Sequence, residues 1–140
     1  MNLSDNFSLF EMTYSVTAKA NGINNTPPKA VIHNLQALCK NVLQPLRWHL
    51  CVPIIITSGY RCAALNKKIG GAVNSQHVLG QAADFVCPQK DLKIAFDYIK
   101  NYLDYDQLLY EHSKDGATWI HVSYKADGHN RRKFDEHYKA

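Results

Sequence analysis

The chain has 140 residues, 46% of them hydrophobic and 20% charged, with a net charge of +4. This composition is that of an ordinary globular protein, which excludes wholesale disorder, and the length predicts one domain over residues 1–140 rather than two. Nucleic-acid binding would need a dense basic stripe, whereas the only basic cluster, Arg131-Arg132-Lys133, is typical of a solvated tail. We therefore expect no nucleic-acid partner.

The cysteines and the N-terminus bear on where the protein works. Four cysteines without a C-x-x-C pair, several of them beside apolar residues, favour buried free thiols. They are Cys39, Cys51, Cys62 and Cys87.

The N-terminus lacks the basic region and apolar run of a signal peptide, and no stretch reaches the roughly 20 apolar residues of a membrane span. We expect a monomer made in the cytoplasm without membrane insertion, which reaches any substrate outside the membrane by release or export.

The first part of the chain predicts two helices. Ser8-Leu9-Phe10-Glu11 has the spacing of a capping box, so a helix should begin there and run to about Ala20. Thr26-Pro27 has the form of an N-cap followed by a proline in the first turn. Apolar residues at steps of three and four extend this second helix to about Leu50, with a kink predicted at Pro45.

The remaining sequence predicts strands and shorter helices. Residues 53–57 are a β-branched run that indicates a buried strand, and residues 82–87 indicate another. Short helices are expected over 63–69 and from Asp91 to about 103, and residues 106–111 and 119–124 should pair through a turn at 114–116. Residues 126–140 are polar and aperiodic and fit either a tail or a short helix. The whole is an α+β domain with helices packed on a small, mainly antiparallel sheet.

Three polar residues suggest a metal site. His77 and Asp84 flank a predicted turn at Gly80, so a loop and the following strand can bring them to one point, and His121 lies on an alternating strand candidate. Two imidazole nitrogens and a carboxylate oxygen suit a catalytic zinc site, which keeps a fourth position open. The spacing alone favours ordinary surface or core histidines, because no H-E-x-x-H helix and no cysteine pair accompanies it.

Four sequence motifs, which follow one another along the chain, favour the metal site over ordinary histidines. They are residues 3–12 with Asn25-Thr26-Pro27-Pro28, Ser58-Gly59-Tyr60-Arg61, Ser75-x-His77-x-x-Gly80-x-Ala82-x-Asp84, and Trp119-x-His121. Together they resemble the zinc D-Ala-D-Ala carboxypeptidase family, in particular its compact carboxypeptidases and phage peptidoglycan endopeptidases such as endolysins. The resemblance implies a fold shared with the hedgehog signalling domain, a Zn²⁺ cofactor and the peptidoglycan stem peptide as substrate. The metal ligands that it implies are His77, Asp84 and His121.

The resemblance also implies substrate-binding residues. Arg61 follows a predicted strand, and its planar guanidinium matches a carboxylate with two parallel hydrogen bonds, so it would bind a carboxylate of the peptide. Ser75 and Gln76 would add polar contacts. Trp119 would either line the cleft or belong to the core.

The sequence lacks the general base that some members of the family have. Several members place an acidic residue or histidine three positions before the last ligand, but that position here is Thr118. Glu111, at the end of the preceding predicted strand, is our candidate for the catalytic base. His112 and Asp115 remain alternatives.

The sequence therefore predicts a zinc-dependent peptidase that uses a zinc-activated water on the peptidoglycan stem. The bond that is cleaved would be D-Ala-D-Ala if the protein is a carboxypeptidase, or L-Ala-D-Glu if it is an endopeptidase. The alternative is a non-catalytic, zinc-containing cell-wall binding module on the same fold, since hedgehog domains keep zinc without peptidase work.

Overall fold

A five-stranded sheet carries half of the eight candidate site residues, namely Asp84, Glu111, Trp119 and His121. The computed structural model describes all residues from Met1 to Ala140. The sheet strands are β3 (Ile55–Ser58), β4 (Ala82–Val86), β5 (Gln107–His112), β6 (Thr118–Ser123) and β7 (Lys133–Lys139), and a small N-terminal ribbon pairs β1 (Asn2–Ser4) with β2 (Phe7–Ser8). The order across the sheet is β3-β4-β6-β5-β7. All neighbours in it are antiparallel except β5 and β7, which are parallel.

Helices precede and interrupt the sheet in the chain. They are α1 (Leu9–Thr13), α2 (Val16–Ala20), α3 (Lys29–Leu38), α4 (Gln44–Leu50), α5 (Ala63–Lys68) and α6 (Leu92–Tyr102). A π-helical segment (Cys39–Leu43) joins α3 to α4, and a 3₁₀ turn (Gln76–Leu79) precedes β4. The predicted α+β class with a mainly antiparallel sheet is confirmed. None of the helices combines the length and the apolar character that a membrane crossing requires.

The hydrophobic core lies between the long helices and one face of the sheet. Because side chains alternate along a strand, Phe85 of β4, Leu108 of β5 and Ile120 of β6 all point into the core. Each such side chain is fully buried, which is worth about 1.5–3 kcal/mol relative to an exposed one. Asp84 and His121, one position along, lie on the opposite face. The sheet thus separates an apolar side from a polar side.

The predicted first helix is divided into two short ones. Its capping box is present: Ser8 Oγ accepts a hydrogen bond from the Glu11 N–H at 3.2 Å, and the Glu11 carboxylate accepts one from the Ser8 N–H at 2.9 Å. The chain leaves the helical conformation at Tyr14 (φ −69°, ψ 136°). Ser15 then caps α2 by accepting from the Ala18 N–H at 3.1 Å. A serine hydroxyl competes well for such free backbone donors, so it starts a new helix here.

The predicted second helix begins and bends differently from the expectation. Its N-cap is Pro28, without a side-chain hydrogen bond, rather than Thr26. In the π-helical segment the Gln44 N–H reaches the Cys39 carbonyl, five residues back. This widening comes just before Pro45, which has no N–H to donate to the preceding turn. The irregularity predicted at the proline therefore lies in the turn before it.

Predictions at the two edges of the sheet were wrong. The strand expected to be buried, β3, is an edge strand in which Ile55 is 47% exposed, while the preceding Ile54 is buried. The C-terminal residues are neither a tail nor a short helix but the edge strand β7. Both outcomes depend on where the sheet ends, which local sequence does not encode.

The cysteines are all free, as predicted, but only two of them are buried. Burial raises the pKa of the Cys39 thiol to about 12 and that of Cys87 to about 11. Cys62 is partly exposed, and Cys51, which follows α4 in a left-handed conformation (φ 57°), is exposed.

A buried carboxylate fixes the entry to the C-terminal strand. The fully buried Asp106 accepts hydrogen bonds from Arg131 Nε at 3.0 Å, Nη2 at 2.8 Å and the backbone N–H at 3.0 Å. Lys133 donates its N–H to the Asp106 carbonyl at 3.0 Å. Burial alone would raise the pKa of Asp106, but the hydrogen bonds from Arg131 lower it to about 2. The carboxylate is therefore ionised at neutral pH.

Replacing this carboxylate should destabilise the protein. We expect Asp106→Asn to reduce the free energy of unfolding by about 2–3 kcal/mol, because an ionised hydrogen-bond acceptor is lost inside the protein. The ionised form stabilises the fold above the unfolded-state pKa of about 3.9, and this stabilisation is lost as the pH falls through about 2. Denaturant titrations at neutral pH and near pH 2 measure this. The difference in unfolding free energy between wild type and Asp106→Asn should be smaller at the lower pH.

Asp97→Asn is the matched control, because Asp97 pairs with Lys93 on the exposed side of α6. We expect it to change stability by at most about 0.5 kcal/mol. If both variants lost the same unfolding free energy, a special role for Asp106 would be contradicted.

Candidate metal centre and active-site cleft

Two imidazoles and one carboxylate meet on the polar face of the sheet. Asp84 on β4 lies directly opposite His121 on β6, and His77 approaches from the 3₁₀ turn. His121 Nδ1 lies 2.9 Å from Asp84 Oδ1, and His77 Nε2 lies 3.3 Å from the same oxygen. One nitrogen or oxygen atom from each residue falls within 4.8 Å of the others. The structure thus brings the three predicted metal ligands together.

Local sequence explains how His77 reaches this point. Ser75 Oγ accepts a hydrogen bond from the His77 N–H at 3.2 Å and so caps the turn. Gly80 ends the turn with φ +73°, a conformation that favours glycine. A Cβ at this position would also lie 2.7 Å from Val31 Cγ1 on α3. The glycine is therefore required both by the backbone angle and by the close packing.

The orientation of the His77 ring is fixed by the backbone of the loop after β3. His77 is only 3% exposed, and its Nδ1 lies 2.8 Å from the Gly59 carbonyl oxygen. Because a carbonyl only accepts, Nδ1 carries the proton and donates. Nε2 then has a free lone pair directed at the cluster. Such a hydrogen bond on the remote nitrogen is the usual way in which proteins orient a metal-binding histidine.

The electrostatics of the cluster keep the carboxylate ionised. Burial alone would raise the pKa of Asp84, but the hydrogen bond that His121 Nδ1 donates, together with attraction from the two imidazoles, holds it well below its usual range. Arg61 Nη2 lies 3.8 Å from Asp84 Oδ2 and adds a positive charge. An ionised carboxylate oxygen beside two imidazole nitrogens is a donor set that suits zinc. These three residues fit the metal that the sequence predicts.

A cleft of about 530 Å³ opens onto the cluster. All of the residues predicted for catalysis, substrate binding and metal binding line it. They are Arg61, Ser75, Gln76, His77, Asp84, Glu111, Trp119 and His121. Trp119, for which both a cleft and a core position were open, is half-buried at the cleft wall rather than in the core. Their roles in binding or catalysis remain predictions.

Of the three candidate bases, Glu111 is the one that lines the cleft. Trp119 Nε1 donates a hydrogen bond to Glu111 Oε2 at 2.9 Å, which leaves Oε1 free. Burial and then repulsion from Asp84 raise the pKa of Glu111, while His121 works in the opposite direction. Of the alternatives, His112 points its Nε2 to the Glu136 carbonyl on the neighbouring strand at 3.3 Å. Asp115 lies in the exposed turn between β5 and β6, and neither lines the cleft.

Arg61 is held firmly at one end of the cleft. Its Nε donates to Ser58 Oγ at 3.1 Å and its Nη1 to Asn66 Oδ1 at 3.1 Å. Its backbone N–H donates to the His77 carbonyl at 3.1 Å, so the arginine and the histidine are positioned together. Burial lowers the pKa of the Arg61 guanidinium, and Asp84 partly restores it. The side chain is thus a pre-positioned cation beside the cluster.

Two residues of the cleft come from the C-terminal region and were not predicted from the sequence. Arg131 and Tyr138 both line the cleft. Strand β7 is exposed on most of its surface, so it shows no hydrophobic alternation that would have predicted a strand. Gly59 was also missed as the acceptor for His77, because a backbone carbonyl has no signature in sequence.

Removing one imidazole should remove the metal. We expect His77→Ala to abolish stoichiometric zinc binding, because the remaining two side chains leave the ion without one of three protein ligands. Zinc content by atomic absorption after dialysis, with circular dichroism to verify folding, measures this. His33→Ala, an exposed histidine on α3, should retain the wild-type zinc content. Full zinc retention by His77→Ala would show that the ligand assignment is wrong.

Comparison with known proteins agrees with this geometry. No curated protein matches the chain. A family model described as Peptidase M15 matches residues 5–123, a range that includes His77, Asp84 and His121. Peptidases of this family depend on zinc, and membership implies a peptidase of peptidoglycan. Because the match covers most of its length, the chain belongs to the M15 family of zinc D-Ala-D-Ala carboxypeptidase-type metallopeptidases.

Proposed function

We propose that this protein hydrolyses a peptide bond in the peptidoglycan stem, with Zn²⁺ held by His77, Asp84 and His121. The candidate bonds are D-Ala-D-Ala and L-Ala-D-Glu. The observation that carries the proposal is the convergence of these three side chains within 4.8 Å at the base of a cleft that also exposes Glu111 and Arg61. A non-catalytic binding module would not require a carboxylate with a raised pKa beside the metal ligands.

The division of chemistry between the metal and the protein follows from this arrangement. A bound zinc ion supplies a Lewis acid that polarises a carbonyl and acidifies water. The chain supplies proton transfer: Glu111 accepts a proton from the attacking water through its free Oε1 and returns it to the leaving amine. Burial raises the Glu111 pKa and so makes the carboxyl a better match for this exchange near neutral pH. The hydrogen bond from Trp119 fixes its orientation.

The substrate is oriented by the cation at the cleft end. Arg61 is held at Nε and Nη1 by Ser58 and Asn66, which directs Nη2 towards Asp84 and the cleft. A carboxylate of the stem peptide would bind there through charge-assisted hydrogen bonds. Ser75 and Gln76, on the same rim, would bind the peptide backbone. Holding the substrate at a fixed distance from the reacting water is worth a large part of a hydrolytic rate enhancement.

The direct test uses defined muropeptides. Purified protein should release the product of one of the two candidate bonds, identified by mass spectrometry, and a chelator should abolish the reaction until zinc is restored. Mass analysis distinguishes a carboxypeptidase from an endopeptidase. Absence of product under every metal condition, with the muropeptides still bound, would favour the binding-module alternative.

Replacing the proposed base should separate metal binding from turnover. We expect Glu111→Gln to keep zinc and to lose turnover by about 10²–10⁴-fold, because the amide cannot accept the proton. Measurements of kcat and zinc content on the same preparation test this. Asp115→Asn is the matched control and should retain wild-type kcat, since Asp115 lies in the exposed turn. An unchanged rate in Glu111→Gln would assign the base to another residue.

Replacing the proposed carboxylate-binding residue should weaken substrate binding. Arg61→Lys keeps the charge but removes the planar fork, so we expect KM for a carboxylate-bearing peptide to rise by about 10-fold or more. The zinc content should stay at the wild-type level. Arg47→Lys on α4, away from the cleft, is the control and should leave KM unchanged. A wild-type KM in Arg61→Lys would contradict the assignment.

A further inference from the structure

The C-terminal strand forms a wall of the cleft beside Glu111. The family match ends at residue 123, before β7 begins at Lys133. Nevertheless β7 places Tyr138 directly opposite Glu111 on β5, and both residues line the cleft. The family match therefore says nothing about this side of the site, and the structure alone supplies it.

An irregularity in the pairing of β5 with β7 places this tyrosine on the cleft side. Leu109 pairs with Asp135 and Glu111 pairs with Tyr138, so two steps along β5 match three steps along β7. In a regular strand Tyr138 would share a face with Phe134, which packs towards the core side of the sheet. The extra residue reverses this alternation and turns Tyr138 into the cleft. Bulges often redirect a side chain beside an active site.

The rest of β7 is fixed from the opposite side of the sheet. Phe134 packs edge-on against Phe96 of α6, with ring centroids 6.5 Å apart. The Glu136 carboxylate lies 3.2 Å from Lys93 Nζ and 3.7 Å from Lys100 Nζ on the same helix. These contacts hold the strand before the bulge and within it. Tyr138 thus belongs to an anchored strand, although its own side chain is 41% exposed.

Glu111 is flanked by aromatic residues on both neighbouring strands. Trp119 lies opposite it on β6, and Tyr138 lies opposite it on β7. The remaining lining of the cleft is mainly polar. Two rings on either side of a carboxylate provide apolar faces on which a peptide plane or an alanine methyl group can pack.

We propose that Tyr138 is a substrate-binding residue that determines specificity for the leaving-group residue of the peptide. This inference rests on the proposed function: Glu111 returns its proton to the leaving amine, so the residue beside Glu111 contacts that side of the scissile bond. The ring packs against the leaving-group residue, which is D-Ala if the D-Ala-D-Ala bond is cleaved and D-Glu if the L-Ala-D-Glu bond is cleaved. Leaving-group residues larger than the natural one meet the ring and are disfavoured.

The test compares Tyr138→Ala and Tyr138→Phe with wild type on peptides that differ only in the leaving-group residue. For the bond that the wild type cleaves, we expect Tyr138→Ala to lower kcat/KM about 10-fold, mainly through KM, and to reduce the preference for the natural leaving-group residue over a larger one. Tyr138→Phe keeps the ring and should stay near wild type. Zinc content and thermal unfolding should be unchanged in both variants.

Tyr102→Ala is the matched control, because Tyr102 on α6 is an exposed tyrosine outside the cleft. It should leave kcat/KM and the preference among peptides unchanged. Values for Tyr138→Ala within twofold of wild type on every peptide would overturn the proposal.

A binding measurement separates this proposal from the hydrolase proposal. In a Trp48→Phe background the only remaining tryptophan is Trp119, and its fluorescence should change when a D-Ala-D-Ala or L-Ala-D-Glu peptide enters the cleft. We expect Tyr138→Ala to raise the Kd about 10-fold. If the wild type binds these peptides without cleaving them, the hydrolase proposal fails while the Kd ratio still decides the role of Tyr138. A wild type that binds neither peptide overturns both proposals.

Discussion

The antiparallel pairing of β4 with β6 is the constraint on which the site depends. It sets Asp84 and His121 side by side, while their neighbours Phe85 and Ile120 pair on the opposite face and enter the core. A slip of one residue would exchange the two faces and place a carboxylate and an imidazole in the hydrophobic core. Burial of the apolar residues therefore holds the register of the polar ones. The stability of the fold and the geometry of the site are set by the same pairing.

The position of Asp84 has an electrostatic consequence. A largely buried carboxylate costs several kcal/mol of desolvation unless charges or hydrogen bonds compensate for it. The neighbouring His121 and His77 supply that compensation and lower the pKa of Asp84, and Arg61 Nη2 lies 3.8 Å from its other oxygen. The Gly59 carbonyl oxygen accepts the hydrogen bond from Nδ1 of His77, so the lone pair on Nε2 of that ring is directed at the cluster. A site organised in this way is prepared for a cation before one binds.

The sheet also explains how one small domain provides both metal binding and a wall for the substrate. Strands β4 and β6 carry two of the proposed ligands, β5 carries the proposed base, and β7 adds Tyr138. On the opposite face of the sheet, Phe134 of β7 packs against Phe96 of α6. Helix packing on the core side thus limits the movement of the groups on the cleft side. Rigid elements of this kind position reacting groups better than loops do.

The sequence by itself determined the α+β class, the family and the residues of the metal cluster, because these depend on residue identity and on local periodicity. It identified His77, Asp84 and His121 through their motif but left Glu111 open against His112 and Asp115. Tertiary structure favoured Glu111, since only the pairing of β5 with β6 decides which carboxylate faces the cleft. It also decided that residues 133–139 form a strand and that Tyr138 faces the site. Edge pairing and a bulge depend on a partner distant in the chain, and an exposed strand leaves no hydrophobic pattern in its own residues.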